Sequence, residues 1–148
     1  MLFRSVATVR AARDEHLAVT PVDRIIEVID VAVQRLLDTR SPVRATLDEQ
    51  LSPVTGFDGE MIRLALTDYL KTFRRAELER FVAEDFTNPK VLDSFQPAAK
   101  GGRVRAYGPR VLAHVWAGNV PGLPLWSFIC GLLTKAGNIG KQIGRAHV

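Results

Sequence analysis

Apolar residues between Val22 and Leu37 recur at three- and four-residue spacing: Val22, Ile25, Ile26, Ile29, Ala32, Val33, Leu36 and Leu37. Asp23, Arg24, Glu27, Asp30, Gln34 and Arg35 take most of the other positions. That period predicts an amphipathic helix laying one stripe on a core. Thr20 is placed to cap it, Pro21 suits its first position, and Asp23 is the acid three residues on. Ser41-Pro42 ends it, because the residue before a proline is driven out of the helical region. The stretch after it, with Pro53, Gly56 and Gly59, reads as a loop. Met61, Ile62, Leu64, Ala65, Leu66, Tyr69, Leu70 and Phe73 mark a second helix. Arg74-Arg75 either interrupts it or leads into a third, with Leu78, Phe81 and Val82 on one side. Asn88-Pro89 is a break, and Val91, Leu92 and Phe95 form a short apolar turn or helix.

The pattern then changes period. Lys100-Gly101-Gly102 is a turn, and residues 103–107 alternate as an exposed strand does. Gly108-Pro109 turns again. Val111 to Trp116 is nearly apolar throughout, which predicts a largely buried strand of a parallel sheet. The turn AGNVPG follows, then an apolar helix from Pro124 to Thr134. Gly137 or Asn138 can supply its left-handed cap, and Ile139 begins the next strand. Helices, a β-arm, then strand–turn–helix–strand make an α/β chain whose last part is the opening crossover of a parallel sheet. One crossover is too little for such a sheet, so the expected fold is truncated.

Composition narrows the class. The 148 residues are 47% hydrophobic and 24% charged, which fits a globular domain rather than a disordered chain. One cysteine excludes an internal disulfide framework. The N-terminus lacks the apolar run of a signal peptide, so a cytoplasmic location is the default. Val111 to Thr134 is long enough to span a bilayer, but Gly118, Asn119, Pro121, Gly122 and Pro124 would break a spanning helix at its middle. No membrane span is expected. Residues 1–93 hold 13 basic and 16 acidic side chains, whereas residues 94–148 hold seven basic and no acidic ones. A basic half suits phosphate-bearing small molecules, an acidic partner or nucleic acid. The bases lie scattered between apolar runs rather than in a stripe, which disfavours nucleic acid.

The turn carries the candidate chemistry. Strand–glycine turn–helix junctions are where open α/β sheets bind ligands. AGNVPG is neither a dinucleotide fingerprint nor a phosphate loop. On the plain structural reading, its glycines shape the turn and Asn119 caps its own backbone. On the functional reading, the Asn119 carboxamide donates to a ligand oxygen that gains charge during carbonyl attack. His114, inside the strand, reads as a hydrogen-bonded core histidine before a general base. Cys130, inside the apolar helix, reads as a packed thiol with a normal or raised pKa. Trp116 and Trp126 read as core or interface. No histidines or cysteines pair at metal spacing. Lys135 and Lys141 flank the second strand, either as solvated ends or as contacts to a cofactor phosphate.

The run from Arg105 to Lys141, with HVWAGNVPG and the following Trp126, Leu132-Leu133, Lys135, Asn138 and Lys141, resembles the acyl-CoA reductase family. These are the fatty-acid reductases of bacterial luminescence and their non-luminous relatives, a branch of the aldehyde dehydrogenase superfamily. TGFDGEMIRLAL and the LDSF near residue 92 are similar to the family's N-terminal part. The resemblance covers roughly residues 20 to 141. It implies helices over residues 1–98 and the first part of an aldehyde-dehydrogenase-like Rossmann domain over 99–141. The implied chemistry is NADPH-dependent reduction of a long-chain acyl-CoA or acyl-protein thioester to a fatty aldehyde, through a cysteine acyl-enzyme. Asn119 then donates to the reacting oxygen, Val120 and Pro121 border the nicotinamide side, and Lys141 meets the adenine ribose or its 2′-phosphate. An acyltransferase or acyl-protein synthetase partner and a homo-oligomer are compatible with it. Cys130 does not match the family's nucleophile, which is expected farther along, outside this chain. Residues 142–148, QIGRAHV, leave the family pattern and read as a non-native tail from a sequencing adapter. An inactive piece of a reductase is thus the leading expectation. A small non-enzymatic binding or interaction protein with a basic C-terminal face is the alternative.

Overall fold

The structure, a computed structural model, describes residues 2–117 and 122–143. Its helices are α1 (Leu2–Ala12), α2 (Val22–Leu37), α3 (Pro42–Thr55), α4 (Gly59–Lys71), α5 (Arg75–Asp85) and α6 (Leu123–Leu133). One π-helical turn, Arg13–Leu17, continues α1, and one 3-10 turn, Pro89–Leu92, follows α5. The strands are β1 (Gln96–Pro97), β2 (Arg103–Val104), β3 (Val111–Ala117) and β4 (Gly137–Ile143).

The stripe on α2 is buried where its period requires: Val22, Ile25, Ile26, Ile29 and Val33 face inward. They meet Leu70 of α4, Phe73 just beyond it, Leu78 and Val82 of α5, and Ile129 and Leu133 of α6. The α4, α5 and 3-10 elements fall where the apolar spacing predicts them. The cap of α2 does not. Thr20 Oγ1 turns back to donate to His16 O (2.8 Å), and the Val22 N–H donates to the Asp93 carboxylate (3.0 Å), 71 residues away. A carboxylate is the stronger acceptor for an open helix N-terminus.

Residues expected to be a loop form α3. Pro42 occupies a first-turn position, where its missing N–H costs nothing. Pro53 falls in the last turn, and Gly56 takes the left-handed cap at φ 76°. The same residues that signal a loop thus start and stop a helix. Arg44 pins α3 in place although it is only 1% exposed. Its guanidinium donates to Asp48 Oδ1 (2.9 Å), Leu36 O (3.2 Å), Arg63 O (3.1 Å) and Thr67 Oγ1 (3.0 Å). It thereby ties α3 to the end of α2 and to α4.

β1 and β2 form a small antiparallel pair, so the strand expected over 103–107 shrinks to Arg103–Val104. β3 and β4 pair in parallel, from Val111 opposite Gly137 to Ala117 opposite Ile143, with α6 as the crossover. Leu112, His114, Trp116, Asn138 and Gly140 share the face under α6. Val9 of α1 approaches the other face at Gly137, where a Cβ would come within 2.7 Å of it. Farther along that face Val115 is 66% exposed. The expectation of a largely buried strand is therefore met on one side only. The described residues cover the α6 face, and α1 covers only the start of the other.

The end of α6 also departs from expectation. Neither Gly137 nor Asn138 is the cap, because both lie in β4. Lys135 takes the left-handed conformation at φ 58°. Its N–H donates to Leu132 O (2.9 Å) and that of Ala136 to Gly131 O (2.8 Å), the paired bonds of a Schellman ending. Tertiary contacts hold a non-glycine there: Lys135 O accepts from Arg13 Nε (2.7 Å), and Lys135 Nζ pairs with Asp93. Lys135 is 5% exposed, so it is neither a solvated helix end nor a free phosphate contact.

Candidate functional site

The carboxyl ends of β3 and β4 lie side by side, and the chain leaves β3 there to enter α6. Asn119, Val120 and Pro121 lie outside the described residues. The turn's far end is visible at Gly122, which holds φ 87°. A Cβ at that position would come within 2.7 Å of the Tyr69 ring. Glycine is required there twice over, for the backbone and for the close approach. The Tyr69 hydroxyl donates to Gly122 O. Burial raises the Tyr69 pKa, which keeps the phenol protonated as a donor. α4 thus anchors the chain at Gly122, just before α6.

Lys141 sits in β4 opposite Val115, two residues before the end of the strand pairing. It is exposed, and it has no ion-pair partner among the described residues. The structure therefore places Lys141 near the carboxyl end of β4, beside Val115 of β3.

His114 is taken up by local structure. Asn138 Nδ2 donates to Ala136 O (2.9 Å), so its Oδ1 faces the imidazole and accepts from His114 Nε2 (2.7 Å). That contact assigns the proton to Nε2. Gly131 makes the room, since a Cβ there would fall 1.9 Å from Asn138 Oδ1. His114 stacks on Trp116 at 5.2 Å, and Trp116 Nε1 donates to Ser127 Oγ (2.8 Å). Gly140 leaves space for the Trp116 ring. A hydrogen-bonded histidine is what the sequence favours, and it is what the fold contains. Trp126 packs between Phe73 and Phe81 at centroid distances of 5.1 and 5.0 Å, a core residue. Burial pushes the Cys130 thiol pKa up, and the nearby Asp85 charge adds to it. A thiol held protonated is a poor nucleophile.

Sequence reasoning missed the long-range contacts of Tyr69, Asn138 and Asp93. Asn138 is two residues from Ala136 but 24 from His114, and Tyr69 is 53 from Gly122. It also missed an apolar cavity of about 650 Å3, walled by Leu47 and Leu51 of α3 and by Met61 and Leu66 of α4, that reaches Tyr69 and Gly122. Among the described residues no group of three or more His, Cys, Asp or Glu could hold a metal ion, and no helix is long and apolar enough to cross a membrane.

Helices followed by a parallel strand–helix–strand unit define an α/β protein of the kind the sequence implies. The family profile described as acyl-CoA reductase (LuxC) matches residues 17–145, and the chain belongs to that family. Its kinship to aldehyde-dehydrogenase-like, luminescence-related oxidoreductases follows, and membership supports an enzymatic role. No curated protein matches the chain, and no solved structure does.

Proposed function

We propose that the protein serves the NADPH-dependent reduction of a long-chain acyl-CoA, or an acyl-protein thioester, to a fatty aldehyde. One observation supports the reading: Lys141 of β4 lies opposite Val115 near the carboxyl ends of a parallel strand pair, the edge where α/β sheets bind ligands. NADPH, when bound, supplies the hydride. The exposed ammonium of Lys141, without an ion-pair partner among the described residues, fits the 2′-phosphate of such a cofactor. Val120 and Pro121 border its nicotinamide side. The Asn119 carboxamide donates to the thioester oxygen as that oxygen gains charge. Tyr69 and Gly122 hold the end of the turn that carries this donor. The acyl-accepting cysteine lies outside residues 1–148, because Cys130 is a helix-packed thiol with a raised pKa. Residues 142–148 are proposed to be foreign to the enzyme, although β4 runs through Ile143 and the family match through residue 145.

Two substitutions in the reductase test the reading. Asn119→Ala lowers turnover by about 10²–10³-fold while leaving stability nearly unchanged. Steady-state kinetics with near-normal turnover would remove the donor role. Lys141→Ala weakens NADPH more than NADH, and equal losses for the two would remove the phosphate contact.

A further inference from the structure

A second recess, of about 430 Å3, lies between α1 and the residue that precedes β3. Val6, Ala7 and Ala11 of α1 supply its apolar lining, and Arg10, Asp14 and Arg110 supply its charge. It falls within the size range of a small-molecule site. It sits at the amino end of β3, where Arg110 leads into Val111 opposite Gly137. Lys141 lies four residues farther along β4 than Gly137, roughly 13 Å away at the rise of a strand. The recess is therefore separate from the phosphate contact proposed for Lys141.

Its two walls are fixed to one short stretch of backbone. Arg13 Nε donates to Lys135 O (2.7 Å), and the Gly137 N–H donates to Arg110 O (3.1 Å). The end of α1 and Arg110 thus keep one spacing through residues 135–137. Asp14 pairs with neither arginine of the lining. Its carboxylate accepts from Arg13 Nη1 (2.7 Å). That bond holds its pKa below the ordinary carboxylate value, and the charges of Arg110, Arg13 and Arg10 add to the effect. The Arg10 and Arg110 side chains are exposed, and neither guanidinium has a hydrogen-bond or ion-pair partner among the described residues. Three guanidiniums around one carboxylate leave an excess of two positive charges among the described residues.

A phosphate monoester carries about −1.5 to −2 charge at pH 7 and three acceptor oxygens, which match that excess. A planar monocarboxylate offers less charge and fewer oxygens than two guanidiniums on different elements can use. The apolar lining gives contact to whatever group bears the phosphate. We propose that the recess between α1 and Arg110 binds a phosphate monoester, with Arg10 and Arg110 on its oxygens and Val6, Ala7 and Ala11 against its apolar body. The proposal stands without the thioester-reductase reading.

Isothermal titration calorimetry of the 148-residue chain with phenyl phosphate, inorganic phosphate and benzoate, at one fixed ionic strength, tests it. Phenyl phosphate is expected to bind about tenfold more tightly than either of the others, because it alone has both the dianion and the apolar body. Arg10→Gln and Arg110→Gln should each weaken phenyl phosphate by about tenfold. Asp14→Asn should tighten it severalfold by removing a negative charge from the recess, a gain that loss of folding cannot mimic. Arg80→Gln removes the same charge on α5, away from the recess, and should change nothing. Circular dichroism checks the helices of each variant. Absent binding, or equal binding of the three anions, overturns the proposal. A loss in Arg80→Gln as large as in the Arg10 and Arg110 variants overturns it as well, since the overall field would then be the cause. Weaker binding by Asp14→Asn has the same consequence. A loss in Lys141→Gln with none in Arg10→Gln or Arg110→Gln also rejects the recess, and assigns the phosphate to the other end of the strand pair.

Discussion

The helices α2 to α5 and the β3–α6–β4 unit hide their apolar surface in different ways. On α2 the apolar stripe is buried almost wholly by α4, α5 and α6. On the strand pair α6 covers one face, while Val115 and Ile143 on the other remain 66% and 55% exposed. An amphipathic helix has one stripe to bury, and neighbouring helices can bury it locally. A parallel strand pair has two faces and needs cover on both. The regions are nevertheless joined. Ile129 and Leu133 of α6 belong to the helical core, and Asp93 ties the start of α2 to the end of α6.

Breaking that joint gives the largest expected effect on stability. Phe73 is fully buried, with its ring on Tyr69 at 5.0 Å and on Trp126 at 5.1 Å. Phe73→Ala is expected to cost about 4 kcal/mol. Urea unfolding followed by circular dichroism and by tryptophan fluorescence checks it. The two signals should shift together, since one core serves both regions, and separate transitions would mean that the β3–α6–β4 unit unfolds independently. Asp93→Ala comes next, at about 3 kcal/mol, because it strands the ammonium of the buried Lys135 and uncaps Val22. The double variant Asp93→Ala/Lys135→Met should recover part of that loss in the same melts, and no recovery would show that the cap, not the ion pair, carries the joint.

The smallest effect lies inside the helical region and depends on pH. Asp30 accepts from Arg74, from the Arg75 N–H (3.0 Å) and from Gln34 (2.7 Å). The Arg74 contact holds its pKa below the ordinary carboxylate value against the opposing pull of burial. The folded state therefore binds this proton less tightly than the unfolded chain does. The stabilisation is complete above the unfolded value of about 4 and is lost as pH falls through the lower folded value. Asp30→Asn should remove about 1–2 kcal/mol at neutral pH and flatten the acid limb of a stability–pH curve. An unchanged acid limb would assign that limb to other carboxylates.

Legibility in the sequence follows the range of the interaction. The stripe of α2, the short turn at Pro89, the apolar α6 and the parallel crossover were readable because each is written in spacing of a few residues. The left-handed cap was misread because glycine and asparagine favour that conformation locally, while Arg13 and Asp93 impose it on Lys135 from afar. Helix α3 was misread because Pro53 and Gly56 signal a break without saying on which side of it the helix lies. At the candidate site, the HVWAGNVPG run was enough to mark the turn and the family. It contained no sign of Tyr69 against Gly122 or of the cavity that reaches them.

What the amino-acid order determined by itself was α2, α4, α5 and the β3–α6–β4 succession, together with the family, since local periodicity and a contiguous motif need no third dimension. Only the tertiary structure decided which polar groups satisfy one another and where empty space remains. The partner of a buried donor, and the gap between two helices, are set by distance in space, which separation along the chain does not encode.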